Sequence, residues 1–191
     1  MKFKKGNVAP NFQIEDVLGN LIELKQLKGK RIFISFLRNT NCPLCSLQVF
    51  KISKQAEYLK SLGLKILVFY ESDKAIFKHS DFFKTNVLDE NRFSVISDPK
   101  RSIYDLFSAE ISPEKSTLEV LKNAGRFASV EEAAKLGITG NGIEAGTNPE
   151  AIPADFLIDE NLVIQYAHYG NDAGDNIQLK LVEQFALNGQ V

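Results

Sequence analysis

Two uninterrupted apolar runs set the limits on what this chain can fold into. Residues 31–37 read RIFISFL and residues 64–70 read LKILVFY. Short continuous runs of this kind suit strands buried on both faces, because neither side of the strand meets water. Between them the pattern changes. From 43 to 62 the apolar residues Leu44, Leu47, Phe50, Tyr58, Leu59 and Leu62 recur at threes and fours, and Gly63 stands where a helix would end. Strand, helix and strand in that order predict two parallel neighbours in one sheet, since parallel pairing needs a long crossover.

The remaining segments extend this unit. Residues 12–14 and 21–24 form short extended pieces around Gly19-Asn20, an N-terminal extension ahead of the first buried strand. Ser72 is placed to cap a helix running to about Lys84, residues 93–96 make a short strand, and Asp98-Pro99 begins a helix through Phe107. Residues 154–158 and 162–169 pair as a hairpin across Asp159-Glu160-Asn161, and residues 175–187 close the chain as an amphipathic helix. The expected class is α/β, a central mixed sheet with helices on both faces. Residues 108–150 are polar, with helical patterns at 113–123 and 129–136 and then the loop GITGNGIEAGTNPEA. They are too short and too polar for a separate core, so they read as an insertion before the hairpin within one domain spanning 1–191.

Charge and hydropathy narrow the function. The net charge is −1, which gives no basic face for nucleic acid. No apolar run approaches the roughly 18 residues of a membrane span. The start, MKFKKGNVAPNF, has basic residues but no apolar core behind them, so a cytoplasmic location is expected. There, thiols are kept reduced, and a close cysteine pair points to redox or metal chemistry rather than to a structural staple.

Such a pair exists. Cys42 and Cys45 are the only cysteines of the chain, in CPLC, directly after the first buried run. Pro43 suits the first helical position, where a missing N–H costs nothing. Cys42 then sits at the helix cap, facing unpaired N–H groups and the positive end of the helix dipole. Both favour thiolate, and cysteines so placed titrate anywhere from about 3.5 to 7.5. Cys42 is the expected nucleophile, toward a peroxide oxygen or a disulfide sulfur. Cys45, one turn on and on the same face, is expected to resolve the sulfenic acid or mixed disulfide. Arg38, where the strand ends, is a candidate source of positive charge. A zinc site would need four ligands, and the only histidines are His79 and His168 in other segments. No metal and no cofactor are expected. Two inert core thiols are the remaining bland reading.

Other candidates are weaker. His168 in YAHYG is read as a half-exposed strand histidine rather than an acid or base. Asp172 and Asp175 in NDAGDN are read as helix-capping groups, because the ligand count for calcium is missing. Glycines 137, 140, 142 and 146 do not make a phosphate loop, since no GxxxxGK[ST] is present.

Four stretches together resemble the thioredoxin-fold redoxins, and within them the peroxiredoxin-like branch of the alkyl hydroperoxide reductase/thiol-specific antioxidant family. They are GNVAPNFQIEDVLGNLIELKQLKGKRIFISFL, CPLC, VISDPKRSIYDLF and IPADFLIDENLVIQYAHYG, in family order. The resemblance implies a thioredoxin-like fold with a thiol-dependent peroxidase or thiol–disulfide activity. It also implies a hydroperoxide or disulfide substrate and a thiol donor such as a thioredoxin-type protein, with a homodimer as one allowed assembly. It further implies that Ile152-Pro153 is a cis peptide lying against the cysteines, making Pro153 a substrate-facing residue.

The chain departs from the family pattern at the peroxide-binding positions. The proline seven positions and the threonine or serine three positions before the reactive cysteine are Ser35 and Asn39 here, and Thr40 is out of register by one. The arginine before the FLID-type strand is replaced by Ile152. Those groups polarise the O–O bond, so Arg38, Asn39 or Thr40 would have to substitute. Dithiol–disulfide exchange is the alternative activity, and a non-catalytic redox-sensing or partner-binding domain is the alternative of another class.

Overall fold

The structure is a computed structural model, and it describes residues 1–88 and 93–191. Five strands form the central sheet in the order β5-β4-β3-β6-β7. These are β3 (Arg31–Phe36), β4 (Leu64–Tyr70), β5 (Ser94–Ser97), β6 (Ala154–Ile158) and β7 (Ile164–Tyr169). The helix α1 (Pro43–Ser61) links β3 to β4, which run parallel, as do β4 and β5. β6 lies antiparallel to both β3 and β7. The sheet is therefore mixed, as the segment order requires. A separate antiparallel ribbon, β1 (Gln13–Glu15) with β2 (Leu21–Glu23), precedes it.

Side-chain alternation divides the core in two. Ile32, Ile34 and Phe36 of β3 join Leu67, Phe69 and Phe156 in one cluster, with Phe12, Tyr104 and Phe107 over them. Phe33 points the other way, into a cluster with Ile66, Val68, Leu157, the buried face of α1, and Phe185 of the last helix, α7 (Leu179–Asn188). All these strand residues are buried, which accounts for the continuous apolar runs. Gly63 ends α1 in the left-handed region at φ +83, a conformation that costs glycine little.

Several boundaries differ from expectation. The helix expected from Ser72 to Lys84 is two short helices, α2 (Lys74–His79) and α3 (Asp81–Asn86), capped by Asp73 and Ser80. Ser72 does not cap, because its hydroxyl is committed elsewhere: it accepts from Thr40 N at 2.8 Å. Asp98 does not open a helix at 98 but accepts from Ser102 N and Ile103 N, so α4 (Ser102–Leu106) starts later. The last helix begins at Leu179 with Gln178 as its cap residue. Asp172 and Asp175 cap nothing. Asp172 takes a paired contact from Arg126 Nε and Nη2, and Asp175 accepts from Asn171 N.

The 108–150 segment packs onto the sheet end where α1 starts. Its helices are α5 (Leu118–Asn123) and α6 (Arg126–Lys135). Ala133 and Ile138 bury against Leu47 of α1. No peptide bond among the described residues is cis, so Ile152-Pro153 is trans and the expectation of a cis bond fails. Pro153 stands ahead of β6, where a residue without an N–H loses no ladder bond. Its carbonyl accepts from Gly170 N at 2.9 Å, which holds the trans chain in line with β7. Among the described residues no helix is long and apolar enough to cross a membrane.

Candidate active site

The site is built where β3 gives way to α1. After Phe36 the chain stays beside β4 for one more step, with Leu37 N donating to Phe69 O, and then turns through residues 38–41. Pro43 occupies the start of α1, so Cys42 is the cap residue, with extended dihedrals of φ −90 and ψ 114. Its sulfur takes the place of the usual capping oxygen and accepts from Cys45 N at 3.3 Å. Arg38 Nη2 donates to the same sulfur at 3.2 Å. Both thiols are free, and both are buried, Cys42 with no exposed surface.

These contacts separate the two sulfurs chemically. Burial works against the Cys42 anion. The Cys45 thiol that donates to it, the Arg38 charge and the Cys45 N–H outweigh that cost, and the Cys42 pKa is lowered to about 6. Cys45 has the opposite balance. Burial raises its pKa well above the ordinary thiol value, and the neighbouring Cys42 anion raises it further. The two thiols are thus shifted in opposite directions, Cys42 toward the anion and Cys45 toward the protonated form. A disulfide between them is within the reach of helix neighbours three residues apart.

The other sequence candidates fall into three groups. Arg38 touches the Cys42 sulfur, and its Nη1 donates to Pro149 O. Asn39 and Thr40 lie on the same turn but face away from it. Asn39 Nδ2 donates to Gly142 O at 3.0 Å and to Thr147 Oγ1 at 2.9 Å, and Thr40 Oγ1 donates to Glu144 Oε2 at 2.5 Å. Pro153 comes to the same end of the sheet, because the next residue, Ala154, pairs with Phe36. His168 is elsewhere on β7, its Nε2 lying 2.9 Å from Asp175 O. His79 is in α2, away from the pair. Among the described residues no three thiol, imidazole or carboxylate groups gather where a metal could sit.

Sequence reasoning missed the groups that the insertion brings to the site. Asn41 Nδ2 donates to Ile143 O and Asn141 Oδ1, and Gly142 N donates to Asn41 O at 2.8 Å. Glu71, at the end of β4 and 1% exposed, accepts from Asn148 N and Nδ2 and pairs with Arg101. The glycine-rich loop carried the signal in part. At Gly140, φ +151, a Cβ would lie 2.2 Å from Asn41 O, and at Gly142, φ +77, 2.6 Å from Arg38 Nη2. Those glycines allow the backbone to lie directly on the turn before Cys42.

Beneath the site, Ser35 and Asp155 face each other across the β3–β6 pair without hydrogen-bond geometry. Asp155 Oδ2 accepts from Ile177 N at 2.9 Å. Burial raises the Asp155 pKa to about 6, against the pull of the Ser35 hydroxyl, the Ile177 N–H and His168.

Comparison with known proteins identifies the family and the fold. The thiol-disulfide oxidoreductase ResA of Bacillus subtilis (strain 168) is 33% identical over 113 residues, covering 59% of this chain and 59% of ResA. The peroxiredoxin Bcp of Escherichia coli (strain K12) is 27% identical over 104 residues, covering 54% of this chain and 64% of Bcp. The chain thus matches less than two thirds of the length of these relatives. Among solved structures, a mutant of peroxiredoxin 6 from Arenicola marina superimposes with a TM-score of 0.68 at 13% identity, over 98% of this chain and 76% of that one. That likeness identifies the fold as thioredoxin-like. The model of the AhpC/TSA family matches residues 5–167, and the chain belongs to that family.

Proposed function

We propose that this protein is a thiol-dependent oxidoreductase that cycles Cys42 and Cys45 between dithiol and disulfide, with a hydroperoxide as the oxidant. The observation that carries the reading is the Cys42 sulfur at the cap of α1, accepting from both Cys45 N–H and Arg38. In the first step the thiolate attacks the terminal oxygen of ROOH. The O–O bond breaks, Cys42 becomes a sulfenic acid, and the leaving alkoxide takes a proton to give ROH. Cys45 then attacks the Cys42 sulfur. The S–O bond breaks, hydroxide leaves with the Cys45 proton as water, and the disulfide forms. A thiol donor, of the thioredoxin type by the family's habit, returns two electrons and two protons. Such a cycle suits a reducing compartment such as the cytoplasm, where donor thiols are maintained.

Dithiol–disulfide exchange is the second reading. Asn39 and Thr40, two of the three groups that could replace the missing peroxide-binding residues, are turned toward the insertion. The relative ResA also bears the name of a thiol-disulfide oxidoreductase. A donor-coupled assay with hydrogen peroxide, an alkyl hydroperoxide and a protein disulfide separates the two. Cys42→Ser should abolish turnover, and Cys45→Ser should leave a sulfenate or mixed disulfide visible by mass. Full activity in Cys42→Ser would refute the assignment of the nucleophile.

A further inference from the structure

Every side chain of the turn 38–41 is committed to the insertion. Arg38 donates to Pro149 O, Asn39 to Gly142 O and Thr147, Thr40 to Glu144, and Asn41 to Ile143 O and Asn141. Asn148 adds an anchor on Glu71 through both its N–H and its side-chain amide, at 2.7 and 2.9 Å. Residues 140–149 therefore lie as a cap across the approach to Cys42, whose exposure is 0%. A nucleophile must come within bonding distance of its target. A folded protein disulfide can reach this sulfur only after the cap is displaced, with its hydrogen bonds broken together.

A small molecule faces a lower barrier. A pocket of about 230 Å³ opens beside the cap, lined by Arg38, Pro43, Leu44, Phe127, Gly140 and Asn141 among others. Arg38, one of its lining residues, is the side chain that donates to the Cys42 sulfur. Side-chain rotation is a far faster motion than displacement of a bonded segment, which favours entry of a small oxidant by this route.

We propose that residues 140–149 are a size filter that restricts reduced Cys42 to small oxidants, with Glu144 as the positioning residue that latches the filter through Thr40. This deepens the redox reading and rests on it. Glu144 makes no contact with either sulfur: its Oε2 accepts from Thr40 Oγ1 at 2.5 Å, and Oε1 is buried with no hydrogen-bond partner among the described residues. Re-reduction is a separate step, because the disulfide no longer presents Arg38 with a thiolate.

The test compares oxidants of one chemistry and two sizes. The reduced protein is mixed with cystine and with native insulin, and oxidation of Cys42 is followed by mass. The filter predicts reaction with cystine and little with insulin. Glu144→Ala should raise the insulin rate by about tenfold, the scale expected for losing one charge-assisted hydrogen bond, with the cystine rate nearly unchanged. Glu144→Gln, which keeps an acceptor for Thr40, should restore the filter. Equal wild-type rates with cystine and insulin would overturn the proposal, and so would a Glu144→Ala variant that changes both rates alike. A wild type inert to cystine and to hydrogen peroxide would instead defeat the redox reading, and the filter with it. Should Glu144→Ala not fold, the wild type decides by itself. N-ethylmaleimide should label Cys42 while a polyethylene-glycol maleimide should not, and equal labelling by both would overturn the filter.

Discussion

Arg38 Nη2 lies 3.2 Å from Cys42 Sγ while Nη1 of the same guanidinium donates to the carbonyl of Pro149. One planar group thus joins the Cys42 sulfur to the inserted segment, with donors in a fixed fork that lysine does not possess. The sulfur is fully buried, so this charge acts in a medium of low dielectric, where it is worth more than at a surface. Arg38 belongs to the turn rather than to α1. Its position depends on that turn being held, and the insertion holds it.

Removing that charge should be visible at the sulfur. Arg38→Met keeps the length of the side chain and deletes the donor and the charge. The Cys42 thiolate, with its pKa lowered to about 6 in the wild type, should then titrate closer to the ordinary thiol range. Thiolate absorbance in the ultraviolet, followed against pH in Cys45→Ser backgrounds, measures the midpoint. Alkylation by iodoacetamide at pH 7 should slow by about tenfold, since less of the sulfur is anionic. An unmoved midpoint would mean that the backbone N–H of residue 45 and the hydroxyl put in place of its thiol hold the anion without Arg38.

The same shift predicts a pH dependence of stability. A group whose pKa is depressed by folding stabilises the native state above its unfolded pKa, and that contribution is lost as pH falls through the folded value. For Cys42 the folded value is about 6. The stability difference between wild type and Cys42→Ser should therefore grow from pH 6 upward and level off above the ordinary thiol pKa. Urea unfolding of both reduced proteins between pH 5 and pH 9 measures it. A difference independent of pH would contradict a thiolate in the folded state.

How much of this was legible in sequence depended on the distance over which each contact acts. The strands around 31–37 and 64–70 were readable because burial on both faces leaves a continuous apolar run. The place of Cys42 was readable because Pro43 fixes where α1 can begin. The Thr40–Glu144 contact was not, because it joins residues 104 positions apart and nothing in either segment names the other. The glycines of the loop announced irregular backbone, but not that it would lie on Asn41. Asp175 looked like a helix cap, yet Asn171 and Arg126 claim its oxygens, and the helix starts only at Leu179. Ser72 was misread for the same reason, since Thr40 N reaches its hydroxyl from another segment.

Asp155 offers a test of the layer beneath the site. Burial raises its pKa to about 6, opposed by the Ser35 hydroxyl, the Ile177 N–H and His168. A carboxyl whose folded pKa is raised favours the native state fully below its unfolded value, and that advantage is lost as pH rises through the folded value. Ionised Asp155 is thus a burden at neutral pH. Asp155→Asn keeps an acceptor for Ile177 N and removes the charge. The variant should be more stable than wild type at pH 7, with the gain appearing between about pH 4 and pH 6 and constant above. Thermal unfolding across that range checks it, and a variant less stable at pH 7 would show that the carboxylate is needed as such.

The Glu71–Arg101 pair anchors both the turn and the cap. Glu71 is 1% and Arg101 8% exposed, and the guanidinium also donates to Ala109 O at 2.9 Å, at the beginning of the insertion. The second carboxylate oxygen of Glu71 holds Asn148 near its end. Glu71 N in turn donates to Arg38 O at 3.0 Å, which ties this pair to the turn before Cys42. Breaking such a pair from one side strands a buried charge, at a cost of about 3–5 kcal/mol. Arg101→Met should therefore destabilise the protein by roughly that amount in chemical unfolding. Removing both charges is a smaller insult, because no ion is left unpaired. The double variant Glu71→Gln/Arg101→Met should recover part of the loss, leaving a coupling of about 1–3 kcal/mol in the double-mutant cycle. Additive effects would mean that each residue acts through its backbone contacts alone.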